Sequence, residues 1–190
     1  MTKQKLAALD IGNVCISIHL GNLFKKLGFW KGLIQVPRIR KACHLMECGK
    51  MSREEFLDLL DRATGRKYTP GELIDFWNSV LGPSIPGMAE AVRNAVDRGW
   101  RFVYFSNTSA LHMEHFLKTN DFCHLVTGAV FSYEAGVMKP HPRIYEIFEE
   151  KYGVPDIYFD DRQENIETAL ARGWNAVTFQ FSDQLDQLLD

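Results

Sequence analysis

The sequence has no apolar run approaching the ~20 residues that span a bilayer, and residues 1 to 9, with Lys3 and Lys5 ahead of a short apolar stretch, lack the apolar core of a secretion signal. These absences predict a cytoplasmic protein. An excess of charge of one sign is missing too: 22 basic residues stand against 24 acidic ones for a net charge of −2, and the basic residues are scattered. Nucleic acid and anionic membranes are thereby excluded as partners, and a small molecule is expected instead. The four cysteines, Cys15, Cys43, Cys48 and Cys123, form no CxxC pair and read as free thiols packing as small hydrophobes. Cys43-His44 with Cys48 is a weak zinc signal without a second ligand pair.

What is present is enough apolar material for a core. With 46% hydrophobic residues in a chain of 190, roughly 70% of the unfolded surface is buried on folding, giving one main core and a smaller satellite. From about residue 19 to 82 no β run appears. Ser52-Arg53-Glu54-Glu55 and Thr69-Pro70-Gly71-Glu72 match the capping box, the second with Pro70 at the first helical position. Phe56, Leu59, Leu60 and Ala63, then Leu73, Phe76, Trp77 and Val80, recur at helical spacing and predict a small bundle.

Gly82-Pro83-Ser84-Ile85-Pro86-Gly87 breaks that register and reads as a return linker. Beyond it, elements alternate: helix 87–98, strand 101–105, helix 109–119, a short strand 129–131, helix 142–152, strand 157–160, helix 163–172 and strand 175–179. Alternation predicts parallel strands with right-handed crossovers. The expected fold is α/β, a doubly wound parallel Rossmann-like sheet formed by 1–18 and 84–190. A helical cap, 19–83, is inserted after the first strand and lies over the sheet's C-terminal edge.

Polar residues stand where those strands end. Leu6-Ala7-Ala8-Leu9 runs into Asp10, Phe102-Val103-Tyr104-Phe105 into Ser106-Asn107-Thr108, and Ile157-Tyr158-Phe159 into Asp160-Asp161. Gly136-Val137-Met138, read as a further strand end, precedes Lys139-Pro140. Singly, each has an ordinary reading: Asp10 as a turn residue, Ser106 and Asn107 or Asp160-Asp161 as helix caps, Lys139 as a surface lysine. Together at one sheet edge they suit phosphate chemistry. Carboxylate oxygens suit Mg²⁺, which neutralises phosphate charge so that an anionic group can approach phosphorus. Lys139 and Ser106 would hold phosphoryl oxygens, leaving Asp10 as a nucleophile that becomes a phosphoaspartate.

In this order the four motifs resemble the haloacid dehalogenase (HAD) superfamily over nearly the whole chain. The resemblance implies a phosphoric monoester hydrolase with catalytic Asp10 and Lys139, and phosphate bound by Ser106, Asn107 and Lys139. It further implies Mg²⁺ held by Asp10, the Gly12 carbonyl and Asp161, with Asp160 helping directly or through water, and Asn165 orienting that loop. Asn13 reads as structural. The sequence Asp10-Ile11-Gly12-Asn13-Val14, with Ser106-Asn107-Thr108 and Phe159-Asp160-Asp161, is similar to a subgroup that includes a bacterial α-D-glucose-1-phosphate phosphatase.

One departure from the superfamily pattern is Gly12, where most of its phosphatases carry an aspartate that protonates the leaving group. Losing a general acid typically costs about 10² to 10⁴ in rate. Three readings stay open: a substrate with an easy leaving group, such as a sugar 1-phosphate; another proton donor, for which His19 is a candidate; or a protein that binds a phosphorylated ligand or a partner and turns over poorly. A 2-haloacid dehalogenase is a further alternative, since those enzymes also lack the second aspartate. They need no metal, however, which the acidic pair argues against. In the cap, Trp30, Lys31, Arg38, Arg40, Lys41 and His44 read as a solvated helix face. Phe24, Phe29, Phe56, Phe76 and Trp77 read as bundle core.

Overall fold

The computed structural model describes residues 4–23 and 29–189. Strand β1 (Leu6–Leu9) is buried at all four positions, as an apolar run with no polar face must be, so it can only be central. It pairs in parallel with β4 (Arg101–Ser106) on one side and β6 (Ile157–Asp160) on the other. With β5 (Val126–Phe131) and β7 (Ala176–Thr178) the order is β5-β4-β1-β6-β7, all parallel.

Alternation along β4 and β6 sorts the two layers of core. Phe102, Tyr104 and Phe159 pack with Met88 and Val92 of α4 (Met88–Asp97) and Phe116 of α5 (Ala110–Thr119). Val103, Phe105 and Tyr158 face the other way, against Tyr145 and Phe148 of α7 (Pro142–Tyr152), Ile166 of α8 (Gln163–Ala171), and Trp174. On that second face Phe105 meets Tyr145, Phe148, Tyr158 and Trp174 with ring centroids 5.0–5.7 Å apart. Such pairs add about 0.5–1.5 kcal/mol each beyond their buried area. They fix the ends of β4 and β6 relative to one another.

Between β1 and α4 the chain builds the cap: α1 (Phe29–Glu47), α2 (Arg53–Thr64) and α3 (Pro70–Asn78). Both capping boxes form. Glu55 N donates to Ser52 Oγ at 3.1 Å while Ser52 N donates to Glu55 Oε2 at 2.8 Å, and Thr69 and Glu72 reciprocate in the same way. Phe56, Leu60, Leu73, Phe76 and Trp77 form the bundle core, joined by Leu111 from α5. Phe24 and the side chains of Phe29, Trp30 and Lys31 lie outside the described residues. Arg38, Arg40, Lys41 and His44 are exposed, as a solvated helix face would be.

Three expectations are corrected, and one element is added. The return linker is partly a strand: β3 (Leu81–Ser84) pairs antiparallel with β2 (Ile16–Ile18), Ile16 opposite Ser84 and Ile18 opposite Leu81. Gly82 and Pro83 are tolerated because the ribbon has two strands and needs no ladder on its outer side. Residues 136–138 are not a strand end. β5 stops at Phe131, and a single turn, α6 (Ser132–Ala135), is closed by Gly136 in the left-handed conformation (φ 72°), so the chain turns toward Lys139. β5 itself begins earlier than expected, at Val126. Past the last strand a short helix, α9 (Asp183–Leu188), packs its buried Leu185 into the core beside α4.

Candidate active site

The C-terminal ends of β1, β4 and β6 bring Asp10, Ser106 and Asp160 to one edge, and the loop after α6 carries Lys139 beneath them. Lys139 is 3% exposed, so the surface-lysine reading fails. Its Nζ donates to Asp160 Oδ2 at 2.5 Å, to the Phe105 carbonyl at 2.6 Å and to Asp10 Oδ1 at 3.0 Å, with the Tyr158 hydroxyl also at 3.0 Å. An ammonium has three protons, and protein oxygens engage them all. Burial alone would lower the Lys139 pKa, but the two carboxylates outweigh it and raise it. The lysine is a fixed positive charge beneath Asp10.

The two aspartates divide that charge unequally. Asp160 is fully buried; burial pushes its pKa up, yet Lys139 and the hydrogen bonds from Lys139, Tyr158 and the Arg162 N–H hold it below the usual carboxylate range. Its Oδ1 accepts from Arg162 N and Asn165 Nδ2, both at 2.9 Å, and its Oδ2 from Lys139 and Tyr158. Each oxygen therefore already has two donors. Asp10 keeps less of the lysine: burial pushes it up to about 6, with Lys139 opposing and Asp160 reinforcing the rise. Ligand oxygens of Asp10, Asp160 and Asp161 lie within 4.8 Å of one another, the one such set of acidic, His or Cys ligands among the described residues. Cys43, His44 and Cys48 form no such set.

Positioning of the remaining residues is local. Ser109, not Ser106 or Asn107, caps α5 by accepting from His112 N at 3.4 Å. Ser106 is freed for a hydrogen bond to Asp10. The Asn107 amide, which lines the cavity, clamps the backbone of Lys139: Asn107 Nδ2 donates to the Lys139 carbonyl at 2.9 Å and Lys139 N donates to Asn107 Oδ1 at 2.8 Å. Asn13, at φ 54°, donates to Asp161 Oδ2 at 2.8 Å and accepts from Ile18 N at 3.0 Å. It ties Asp161 to the β2 ribbon and is structural in a way that serves the site.

Above this edge, under the cap, is a cavity of about 290 Å³. Its floor holds Asp10, Gly12, Ser106, Asn107, Lys139 and Asp161, and its roof holds Leu23, Cys43, Glu47, Trp77 and Val80. Glu47 and His112 line it and escaped the sequence reading; a glutamate at a helix end and a histidine inside a helix carry no signal without the cap's placement. His19 is exposed, bonded to Ser17 Oγ at 3.0 Å, and is not among the lining residues. Gly49, at φ 63°, lets the end of α1 descend: a Cβ there would sit 2.2 Å from the Tyr133 carbonyl.

His112 stacks on Trp77 with centroids 4.5 Å apart and planes 7° from parallel, linking α5 to the cap. Burial pushes its pKa down to about 4 from 6.5, partly offset by the Trp77 backbone. The folded state thus binds fewer protons than the unfolded chain between pH 6.5 and 4, so this contribution to stability is complete above 6.5 and fades as pH falls toward 4. Its full size is about 3 kcal/mol. His112→Phe, which keeps the stack, is expected to flatten the fall in urea midpoint between pH 7 and 4.5.

No protein-family model matches the sequence, and no curated protein matches it. Solved structures do. A HAD family enzyme from Bacteroides thetaiotaomicron is 19% identical, with a TM-score of 0.82 over 98% of both chains; the same enzyme in complex with magnesium and inorganic phosphate is 21% identical, with a TM-score of 0.77 over 94% of this chain and 95% of that one. A predicted HAD-like hydrolase from Porphyromonas gingivalis is 17% identical, with a TM-score of 0.75 over 92% and 90%. The L-2-haloacid dehalogenase of Xanthobacter autotrophicus, with chloropropionic acid covalently bound, is 12% identical at 0.65 over 93% and 77%. The chain has the Rossmann-like fold of HAD enzymes, cap included.

Proposed function

We propose that this protein is a Mg²⁺-dependent phosphatase that hydrolyses a small phosphomonoester, a sugar phosphate among the candidates, through a phosphoaspartate on Asp10. The reading is carried by the convergence of Asp10, Asp161 and buried Lys139 on the floor of one cavity. The donor set fits the metal: two carboxylates with oxygens free of a lysine, Asp10 Oδ2 and Asp161, beside the Gly12 carbonyl, are hard ligands that leave room for waters and a phosphate. When bound, Mg²⁺ supplies positive charge against the phosphoryl oxygens. Asp160 acts at one remove by holding Lys139 and the Asp161 loop.

Asp10 Oδ1 is fixed by Lys139, which favours its ionised, nucleophilic form and turns the other oxygen toward the cavity. Ser106 steadies the same carboxylate and offers a hydroxyl to phosphate. Magnesium and phosphate in a similarly folded enzyme agree with this assignment. A dehalogenase would use the same aspartate on carbon without a metal. EDTA separates the two: phosphate release from a panel of sugar phosphates and p-nitrophenyl phosphate is expected to cease with EDTA and return with excess Mg²⁺. Metal-independent halide release from 2-chloropropionate, with no phosphate release, would overturn the proposal.

A further inference from the structure

The cavity that Gly12 lines holds a further carboxyl group, and it comes from the cap. Glu47 ends α1 and lines the same cavity as Asp10, Ser106 and Asp161. It is half-buried and makes no hydrogen bond or ion pair with any described residue, unlike Asp10, Asp160 and Asp161, each of which is held by a partner. An acidic side chain largely withdrawn from water with no hydrogen-bond partner, its burial only partly offset by the charge of Arg162, is destabilising in the free protein, which points to a use in the bound one. Its place is not accidental: Gly49, two residues on, permits the contact with the Tyr133 carbonyl that brings this end of α1 down over the floor.

We propose that Glu47 is the proton donor to the leaving group, replacing from the cap the acid absent from position 12. The inference rests on the phosphatase reading above. In the first step an Asp10 oxygen bonds phosphorus as the phosphorus–oxygen bond to the leaving group breaks; the electron pair stays on the leaving oxygen, and the Glu47 proton moves to it. In the second step a water oxygen bonds phosphorus and yields a proton to the Glu47 carboxylate, while the acyl phosphate bond breaks and returns its electron pair to Asp10. Charge and protons balance over the cycle. Burial, only partly offset by Arg162, pushes the Glu47 carboxyl up to about 7, so both protonation states are populated at neutral pH, as an acid–base group requires.

A proton donor matters in proportion to how poorly the leaving group departs alone. The test is therefore kcat/KM, which reports steps up to leaving-group departure, for wild type and Glu47→Gln with Mg²⁺ on a series running from alkyl phosphates to p-nitrophenyl phosphate. The expected result is a loss of about 100-fold or more on alkyl phosphates, shrinking steadily to a few-fold on the aryl ester. An equal loss across the series would make Glu47 a substrate-binding or structural residue, and no loss anywhere would make it idle; either overturns the proposal. If wild type itself releases no phosphate from any member, the phosphatase reading fails instead, so the two failures are distinguishable.

Discussion

Asp10→Asn is expected to abolish the proposed phosphate release while the protein folds as well as wild type or better. The amide keeps the shape of the side chain but removes the nucleophilic oxygen, so turnover is expected to fall below detection rather than decline by a modest factor. Stability moves the other way because the wild-type carboxyl is held at about 6 instead of 3.8, chiefly by burial. The folded state binds more protons than the unfolded chain in that interval, so ionised Asp10 weakens the fold above it, by up to about 3 kcal/mol without metal. Thermal melts in EDTA at pH 7 are expected to show the variant a few degrees above wild type. A variant with wild-type activity would end the role given to Asp10.

Lys139→Met has the largest expected effect on the fold. The substitution preserves length and removes the positive charge paired with both buried aspartates, and stripping one partner from a buried pair costs about 3–5 kcal/mol. The pH dependence should steepen as well. In wild type, Asp160 sits below the usual carboxylate range, so its contribution is complete above the unfolded value and is lost only below it; between pH 7 and 5 the gain on acidification comes from Asp10, held at about 6. Without the lysine both buried carboxylates titrate above their unfolded values, and the variant gains more stability than wild type as pH drops from 7 toward 5. Urea titrations at both values read the slope directly, and an unchanged slope would show that Lys139 does not hold Asp160 ionised. Activity is expected to vanish at either pH, because Asp10 loses the charge that fixes it.

How much of this was legible in the sequence follows from what each residue depends on. Asp10, Ser106 and Asp160 terminate apolar runs buried on both faces, and such runs can only be central parallel strands, so their ends had to share an edge. Lys139 was visible by its order in the motif set, although the strand before it proved to be a turn closed by Gly136. The Asn107 clamp was hidden because its partner lies on a different loop. Glu47 was hidden for a deeper reason: nothing in α1 refers to the sheet, and its address exists only because Gly49 allows the helix end to meet Tyr133. The β2–β3 ribbon was masked by Gly82-Pro83, which reads as a breaker in any window taken alone.

That ribbon has a consequence for how such a molecule diversifies. Its backbone bonds join the two places where the chain leaves and re-enters the sheet domain, Ile16 lying opposite Ser84 and Ile18 opposite Leu81. Seen from the sheet, the whole cap is an insertion whose ends are already held side by side, and doubling the length of such an insertion adds only about 0.6 kcal/mol of closure entropy. A cap can therefore be lengthened, shortened or exchanged by recombination at the ribbon with little thermodynamic resistance from the edge that bears Asp10.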